Sequence, residues 1–198
     1  PALAQERAAT GSGVAATTRD NSAERPIAFA SAAPSSGVLV VPVGSAADVA
    51  RRAPALPGGV GEAVSRAASA GQFEAKADST LSLRGVGGFD RILLVGVGDK
   101  PLDAAALANL GGRAAQETRD DAAPVAILTD GLDTQVANPA AHVAMGAGLG
   151  QWRYDRYKSD ARPTPVQPLT IVAAQADAAQ AVFRRELAGV VDGARLAR

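Results

Sequence analysis

Apolar residues occur in two patterns along the chain: short continuous runs, and stripes repeated every three or four positions. The runs at 38–43 and 91–98 consist mainly of Val, Leu and Ile, which is typical of strands buried on both faces. Shorter runs and one alternating segment extend this pattern over the chain. Together they predict six strands, at 27–30, 38–43, 79–83, 91–98, 123–129 and 169–173.

Helical stripes lie between these strands. Leu107, Leu110 and Ala114 are three and four positions apart, so they share one face of a helix that the carboxylate of Asp103 can cap. Two more helices are predicted from similar stripes, at 60–70 and 139–154. The last helix has its apolar positions at Phe183, Leu187, Val190, Val191 and Ala194.

Two of the predicted helices have residues that are typical of helix ends. Gly71 follows the helix at 60–70, where glycine suits a left-handed closing residue. Asp177 and Gln180 are three positions apart and resemble a capping box at the start of the last helix.

Strands and helices alternate through most of residues 80–198. This alternation predicts an α/β domain with a mostly parallel central sheet and helices on both faces. Residues 1–25 are rich in small and polar residues and have no apolar period, so we expect a disordered N-terminal tail before a single domain at 26–198. The tail begins with Ala2-Leu3-Ala4, which fits either the end of a signal peptide or, as we favour, a plain alanine-rich tail.

Composition narrows the classes of function. The chain carries 20 basic and 20 acidic residues and no net charge, whereas nucleic-acid binders usually have a basic excess. The lack of cysteine excludes disulfides, thiolate metal sites and a cysteine nucleophile. No apolar run is long enough to cross a membrane. We therefore expect neither nucleic acid nor membrane as a partner.

Two glycine-rich segments could in principle bind phosphate. Gly96 and Gly98 follow a predicted strand, but a dinucleotide loop requires a third glycine where Pro101 stands, so a tight strand exit is favoured. The segment 85–88 precedes a strand rather than a helix, so it cannot present a helix N-terminus to phosphate.

The ionisable side chains do not form a recognisable catalytic set. His142 is the one histidine, and no acidic cluster surrounds it in the sequence, so a metal or base role is not favoured. Asp120 and Asp121 are adjacent and are expected in a solvated loop. Asp130 and Asp133 flank a glycine, as turn residues do.

Three of the seven aromatic residues fall within six positions, at Trp152, Tyr154 and Tyr157. They alternate with four charged residues. The pattern fits aromatic anchors that close the core, an interface patch, or a base-stacking surface. Packing of Trp152 with one tyrosine is the simplest interpretation, and we predict that these three residues are anchors near a domain junction.

The same segment carries a family resemblance. Residues 146–159 read Gly-Ala-Gly-Leu-Gly-Gln-Trp-Arg-Tyr-Asp-Arg-Tyr-Lys-Ser, which resembles the helix end of M17 leucyl aminopeptidases with its Tyr-Arg-Phe-Asp-x-Tyr/Phe-Lys-Ser/Thr phrase. The strand at 91–98 is similar to the family's Val-Leu-Leu-Val-Gly-Leu-Gly strand. Residues 193–198 resemble the helix that leads into the family's catalytic domain. The resemblance covers roughly residues 26–198.

This resemblance implies a macro-domain-like, three-layer α/β sandwich that forms the family's N-terminal domain. It also implies a parent enzyme with two divalent metal ions, manganese or zinc, that releases N-terminal amino acids from peptides. The implied partners are a C-terminal catalytic domain and further copies in a homo-hexamer, and the implied location is cytoplasmic, with export to the periplasm as the alternative.

None of the family's metal-binding or catalytic phrases occurs in this sequence, so no catalytic or metal residue can be assigned to it. Two-metal hydrolysis needs a cluster of carboxylates around ions about 4 Å apart. We therefore expect the chain alone to be inactive and to hold no cofactor. A stand-alone binding module for a nucleotide such as ADP-ribose, or for DNA, is the alternative, and a stand-alone structural protein is a third possibility. An exposed apolar face on the last helix would argue against the third.

Overall fold

The computed structural model describes residues 24–152 and 167–197. These residues form six strands, six α-helices, two short 3₁₀ turns and one π-helical turn. The strands are β1 (Ile27–Ala30), β2 (Gly37–Val43), β3 (Thr80–Val86), β4 (Phe89–Gly96), β5 (Val125–Leu128) and β6 (Leu169–Val172). The helices are α1 (Ala46–Arg52), α2 (Gly61–Ala70), α3 (Ala104–Glu117), α4 (Pro139–Gly150), α5 (Ala176–Val182) and α6 (Ala188–Leu196). The 3₁₀ turns span Ala53–Ala55 and Pro57–Gly59, and the π-helical turn spans Phe183–Leu187.

The six strands form one sheet in the order β1-β6-β5-β2-β4-β3. Every pairing is parallel except that of β3 with β4. All seven residues of β2 are buried, as its continuous apolar run predicts, because helices cover both faces. The predicted mostly parallel sheet is therefore confirmed. The strand predicted at 91–98 is observed as β4. It pairs in parallel with β2 on one side and antiparallel with β3, through a hairpin, on the other.

The strand before the hairpin turn is longer than predicted. β3 runs to Val86 rather than to residue 83, so Gly85 lies within the strand. The turn consists of Gly87 and Gly88, with φ of 58° and 84°. Positive φ at both central residues is the geometry whose twist matches a two-residue hairpin, and glycine adopts it without strain.

Helices cover the sheet on both faces, which gives three layers. On one face, α1 and α2 pack through Val49 and Val64 against the strands. On the other face, α3, α4 and α5 pack through residues such as Leu107, Val143 and Ala179. The predicted arrangement, a central sheet between two helical layers, is confirmed. No helix in the described ranges has the length and apolarity of a membrane span.

Of the three predicted helix-end residues, one is confirmed and two are wrong. The Asp103 carboxylate accepts the N–H of Ala106 at 2.8 Å, so the predicted cap of α3 is confirmed. Gly71 was expected to be left-handed, but its φ is −82°, and Gln72 takes the left-handed conformation at 48°. The capping box at Asp177 is wrong, because α5 begins at Ala176 and Asp177 lies in its first turn.

The helix α4 ends at Gly150, earlier than the predicted end at residue 154. Gln151 forms a turn and Trp152 is non-helical.

Helices α3 and α4 approach each other more closely than helices with side chains between them could. A Cβ atom added to Gly111 would lie 1.9 Å from the carbonyl oxygen of Val143, and one added to Gly146 would lie 1.8 Å from that of Ala108. Real Cβ atoms do not approach other atoms so closely. Glycine at these two positions is therefore what allows the two backbones to touch.

The last helical region is interrupted by the π-helical turn, which the sequence pattern did not predict. A regular α-helix turns by about 100° per residue, so Phe183 and Val191 would point about 80° apart. The extra residue of a π-helical turn removes most of this difference. Both side chains consequently face inward: the ring of Phe183 lies 5.8 Å from that of Phe29, and Val191 is buried against Gly148.

Candidate domain-junction surface

Of the three predicted anchor residues, the structure describes Trp152. It lies two residues after the end of α4 and is 49% exposed, so it lies at the surface rather than in the core. Tyr154 and Tyr157 lie outside the described residues. A half-exposed tryptophan suits an interface more than it suits the closing of a core.

Arg25 is fixed by two sets of hydrogen bonds. Its backbone N–H donates to Oε1 of Gln151 at 2.6 Å, and Nε2 of Gln151 donates back to its carbonyl oxygen at 3.1 Å. Its guanidinium, in a residue only 3% exposed, donates to the carbonyl oxygens of Thr118, Asp121 and Ala123. Burial lowers the pKa of this guanidinium, and the charge of Asp121 partly opposes that effect. The start of the described chain is thereby joined to the end of α4.

Glu24 makes the corresponding link to the last helix. Arg195 in α6 donates from Nε to Oε2 of Glu24 at 2.6 Å, and it also bonds to Asp192 at 3.0 Å. The Glu24 side chain is only 14% exposed, so this pair is more shielded from water than an ordinary surface pair. Consecutive residues 24 and 25 therefore contact the ends of α6 and α4, which places these two helix ends beside each other.

In the described ranges, the exposed large apolar side chains are Trp152, Val190 and Leu196, with exposures of 49%, 50% and 90%. Trp152 follows Gln151 in the chain, and Leu196 follows Arg195, so both neighbour a residue that contacts residues 24–25. We call Trp152 and Leu196 the junction surface. Neighbouring exposed apolar side chains are typical of a contact with another folded unit.

The sequence patterns did not reveal the polar residues that frame this surface. Glu24, Arg25, Gln151 and Arg195 are ordinary polar residues in the sequence, and the bonds that join Arg25 to Gln151 and Glu24 to Arg195 span 126 and 171 positions. One signal was available: two of the residues, Gln151 and Arg195, adjoin large apolar residues at predicted helix ends.

The glycines at 96 and 98 form a tight strand exit, as predicted. A Cβ on Gly96 would lie 2.1 Å from the carbonyl oxygen of Lys76. Gly98 has a φ of 78° and donates its N–H to Ala75. These glycines therefore serve the close approach of the segment 75–79 to β4.

A small cleft lies beside them, at the carboxyl ends of β2 and β4, where ligands commonly bind in parallel sheets. Its volume is about 190 Å³, below the roughly 300–1,000 Å³ of typical ligand pockets. Its Asp48 carboxylate already accepts the N–H of Gly44 at 2.9 Å and pairs with Arg51. The geometry thus gives little support to a nucleotide site here.

The remaining candidates do not converge on a metal. No group of three or more His, Asp or Glu side chains in residues 24–152 and 167–197 could hold an ion. The Nδ1 atom of His142 is buried on α4 and has no hydrogen-bond partner among the described residues. These residues therefore offer no ligand set for two metal ions, which the family resemblance assigns to a catalytic domain rather than to this chain.

The prediction that Asp120 and Asp121 lie in a solvated loop is wrong for Asp121. Its carboxylate accepts a hydrogen bond from Arg91 at 2.9 Å, and its side chain is only 14% exposed. Arg91 also donates to Ser82 at 2.8 Å and to the carbonyl oxygen of Glu117 at 2.9 Å. The pair joins β4 to the loop after α3, and it is a structural contact. Asp130, expected as a turn residue, accepts the N–H of Ala174.

Fold and surface together define a class: an α/β domain whose described residues lack a metal-binding cluster and which exposes apolar side chains at one end. Residues 40–161 match the family described as "Cytosol aminopeptidase family, N-terminal domain". The chain belongs to this family, and the matching part is its N-terminal domain.

Curated relatives agree with this assignment. A probable cytosol aminopeptidase of Allorhizobium ampelinum is 37% identical over 67% of this chain and 28% of its own length. Another from Nitrobacter winogradskyi is 35% identical over 63% of this chain and 26% of its own length. The putative leucine aminopeptidase 1 of Oryza sativa is 32% identical over 59% of this chain and 24% of its own length. The chain thus spans about a quarter of the length of these relatives.

A solved structure shows the same fold. A tomato leucine aminopeptidase mutant aligns with a TM-score of 0.66 at 23% identity, over 87% of this chain and 38% of the other. At this identity the likeness concerns the fold alone.

Proposed function

We propose that this chain is a non-catalytic N-terminal domain of an M17 leucyl aminopeptidase, and that it supports a catalytic domain by packing against it. The observation that carries the proposal is the match of residues 40–161 to the N-terminal domain of a family whose curated members here are three to four times longer than the matched segment. The reaction, the removal of N-terminal amino acids from peptides, would belong to the remainder of such a protein.

The junction surface supports a packing role. Its two large apolar side chains, Trp152 and Leu196, expose area that water disfavours. Burial of that area by another domain would recover about 25 cal/mol per Å². The exposed apolar residues of α6 also argue against a stand-alone structural protein.

The finer parts of the proposal concern the whole protein. It would hold two divalent ions, manganese or zinc, in its catalytic domain; such ions polarise the peptide carbonyl and activate water. It would assemble as a homo-hexamer in the cytoplasm, a location that the relatives' designation as cytosol aminopeptidases supports. This chain's own residues would bind and orient the neighbouring domain and hold no ion.

A domain exchange tests the proposal. The full 198-residue chain is fused to the part of the Allorhizobium ampelinum relative that follows its matching segment, and cleavage of leucyl p-nitroanilide with Mn²⁺ is measured. We expect the fusion to retain at least a tenth of the activity of the unaltered relative and the relative without its N-terminal segment to lose it. Equal activity of the truncated relative and the fusion would contradict a supporting role.

A further inference from the structure

Strand β3 lies at one end of the sheet and pairs, among the described strands, with β4 alone. A strand at a sheet end leaves a row of backbone N–H and C=O groups without strand partners, and proteins often shield such a row by a short strand, a proline or a covering element. The opposite end of the sheet is shielded in this way, because β1 has four residues, follows Pro26 and contacts α5. β3 has seven residues and no proline, so the described residues leave its outer side open. We call this side of Thr80–Val86 the β3 edge.

The side chains of β3 alternate between two faces of the sheet. Leu81 and Leu83 are half-buried and pack with the core cluster on the face of α1 and α2. Thr80, Ser82 and Arg84 point to the other face and are exposed. The β3 edge therefore has an apolar row on one face and a polar row on the other.

The extended part of β3 is bounded by two residues with left-handed backbone. Asp78 and Gly85 have φ of 65° and 64°, far from the negative values of an extended strand. The strand residues between them are 80–84. Ser82 is therefore the middle of the regular part of the β3 edge.

A second copy of the β3 edge complements the first in one register. In an antiparallel pair, residues directly opposite each other point to the same face. A two-fold axis at Ser82 places Leu81 of each copy opposite Leu83 of the other. An axis at Leu81 would instead place Leu83 opposite Ser79, and an axis at Leu83 would place Leu81 opposite Gly85. Of these three, the axis at Ser82 alone joins the two apolar rows.

The charged residues at the β3 edge fit the same register. Arg84 would lie opposite Thr80 of the second copy and diagonal to its Asp78. Diagonal neighbours on one face are about 7–8 Å apart, within reach of a long side chain. Within residues 24–152 and 167–197, the side chains of Arg84 and Asp78 form no hydrogen bond or ion pair. The axis at Ser82 supplies each of them with an opposite charge, and it does so twice by symmetry.

We propose that two copies of this chain join antiparallel through the β3 edge, with Ser82 opposite Ser82, so that two six-stranded sheets become one. The contact goes beyond the proposed packing against a catalytic domain and does not depend on it. A two-fold contact that uses the same patch on both copies is the commonest arrangement in soluble oligomers. One strand pair buries less than the roughly 1,200 Å² of a stable interface, so we expect a dissociation constant on the order of 100 µM.

Sedimentation equilibrium of the 198-residue chain, from about 5 µM to about 1 mM, measures the association. T80E places a carboxylate opposite Arg84 of the second copy, and T80K places an ammonium group there. Because the contact occurs twice, we expect T80E to lower the dissociation constant about fivefold and T80K to raise it about fivefold. A181E and A181K are the matched controls, at an exposed position of α5 beside the opposite end of the sheet, and they should change it less than about twofold.

A thiol at the axis tests the register. The chain has no cysteine, so a disulfide in the S82C variant must join two copies. Opposite Cα atoms in an antiparallel pair are about 4.5–5.5 Å apart, within the range of a disulfide. With oxidised glutathione, we expect S82C to form a covalent dimer about tenfold faster than A181C. The Ser82 hydroxyl accepts a hydrogen bond from Nε of Arg91 at 2.8 Å, so circular dichroism is used to verify the fold of S82C.

Three results would overturn the proposal. The first is a chain that sediments at its monomer mass of 19.8 kDa over the whole concentration range. The second is a dimer that responds equally to T80E and T80K, because such a dimer would form through another surface. The third is equal rates of disulfide formation by folded S82C and A181C. Activity of the fusion described above is measured separately, so failure of this contact leaves the proposed function standing.

Discussion

At the scale of single residues, buried arginines connect parts of the chain that are far apart in sequence. Arg25 and Arg91 are 3% and 9% exposed, and both donate to backbone carbonyl oxygens at the C-terminal end of α3 or in the loop that follows it. A guanidinium carries five donors in a planar fork, so it can satisfy several carbonyl groups at once. Lysine, with a single ammonium, could not replace it with the same geometry.

Replacement of Arg25 should therefore destabilise the domain. R25M removes the donors to three carbonyl oxygens while keeping an apolar side chain of similar length, and we expect it to lower the free energy of unfolding by about 3 kcal/mol. R66M is the matched control, because Arg66 is exposed and pairs with Glu62 one turn away, and we expect a change within about 0.5 kcal/mol. Urea unfolding followed by circular dichroism measures both. Similar losses for the two variants would contradict a special role of Arg25.

At the scale of elements, strands were predicted more accurately than helix ends. All six strands follow from apolar runs or alternation to within a few residues. For β2, β4 and β5, burial on both faces dictates the apolar composition. The antiparallel pairing of β3 was not predicted, because pairing direction depends on the two-glycine turn rather than on apolar pattern. The π-helical turn was missed for a similar reason: the phase of Phe183 relative to Val191 depends on Phe29 and Gly148, which lie elsewhere in the sequence.

The α3–α4 contact gives a test at this scale. G111A would place a Cβ 1.9 Å from a backbone oxygen, so the helices must separate, and we expect a loss of about 3 kcal/mol in the free energy of unfolding. Gly112 is the adjacent control, where the nearest atom would be 3.4 Å away. G112A should change stability by less than about 1 kcal/mol, in the stabilising direction if helix propensity dominates. Unfolding in guanidinium chloride measures the free energy of unfolding of both variants. Equal losses of stability at the two positions would contradict the packing argument.

At the scale of the whole molecule, the family and the fold class could be predicted, whereas the junction surface could be predicted only in part. Trp152 was named from its aromatic cluster, whereas Leu196 lay outside the apolar stripe predicted for the last helix, and its exposure was not predicted. Its position beside the end of α4 depends on the contacts of Glu24 and Arg25, which sequence spacing does not reveal.

The central claim is that catalysis is not a property of this chain. The most direct test incubates the purified 198-residue protein with Mn²⁺ or Zn²⁺ and leucyl p-nitroanilide, beside the same metal in buffer and the complete relative as a positive control. The account predicts that release of p-nitroaniline by the chain equals that of metal in buffer. Turnover by the chain that depends on added metal and on protein concentration would contradict it.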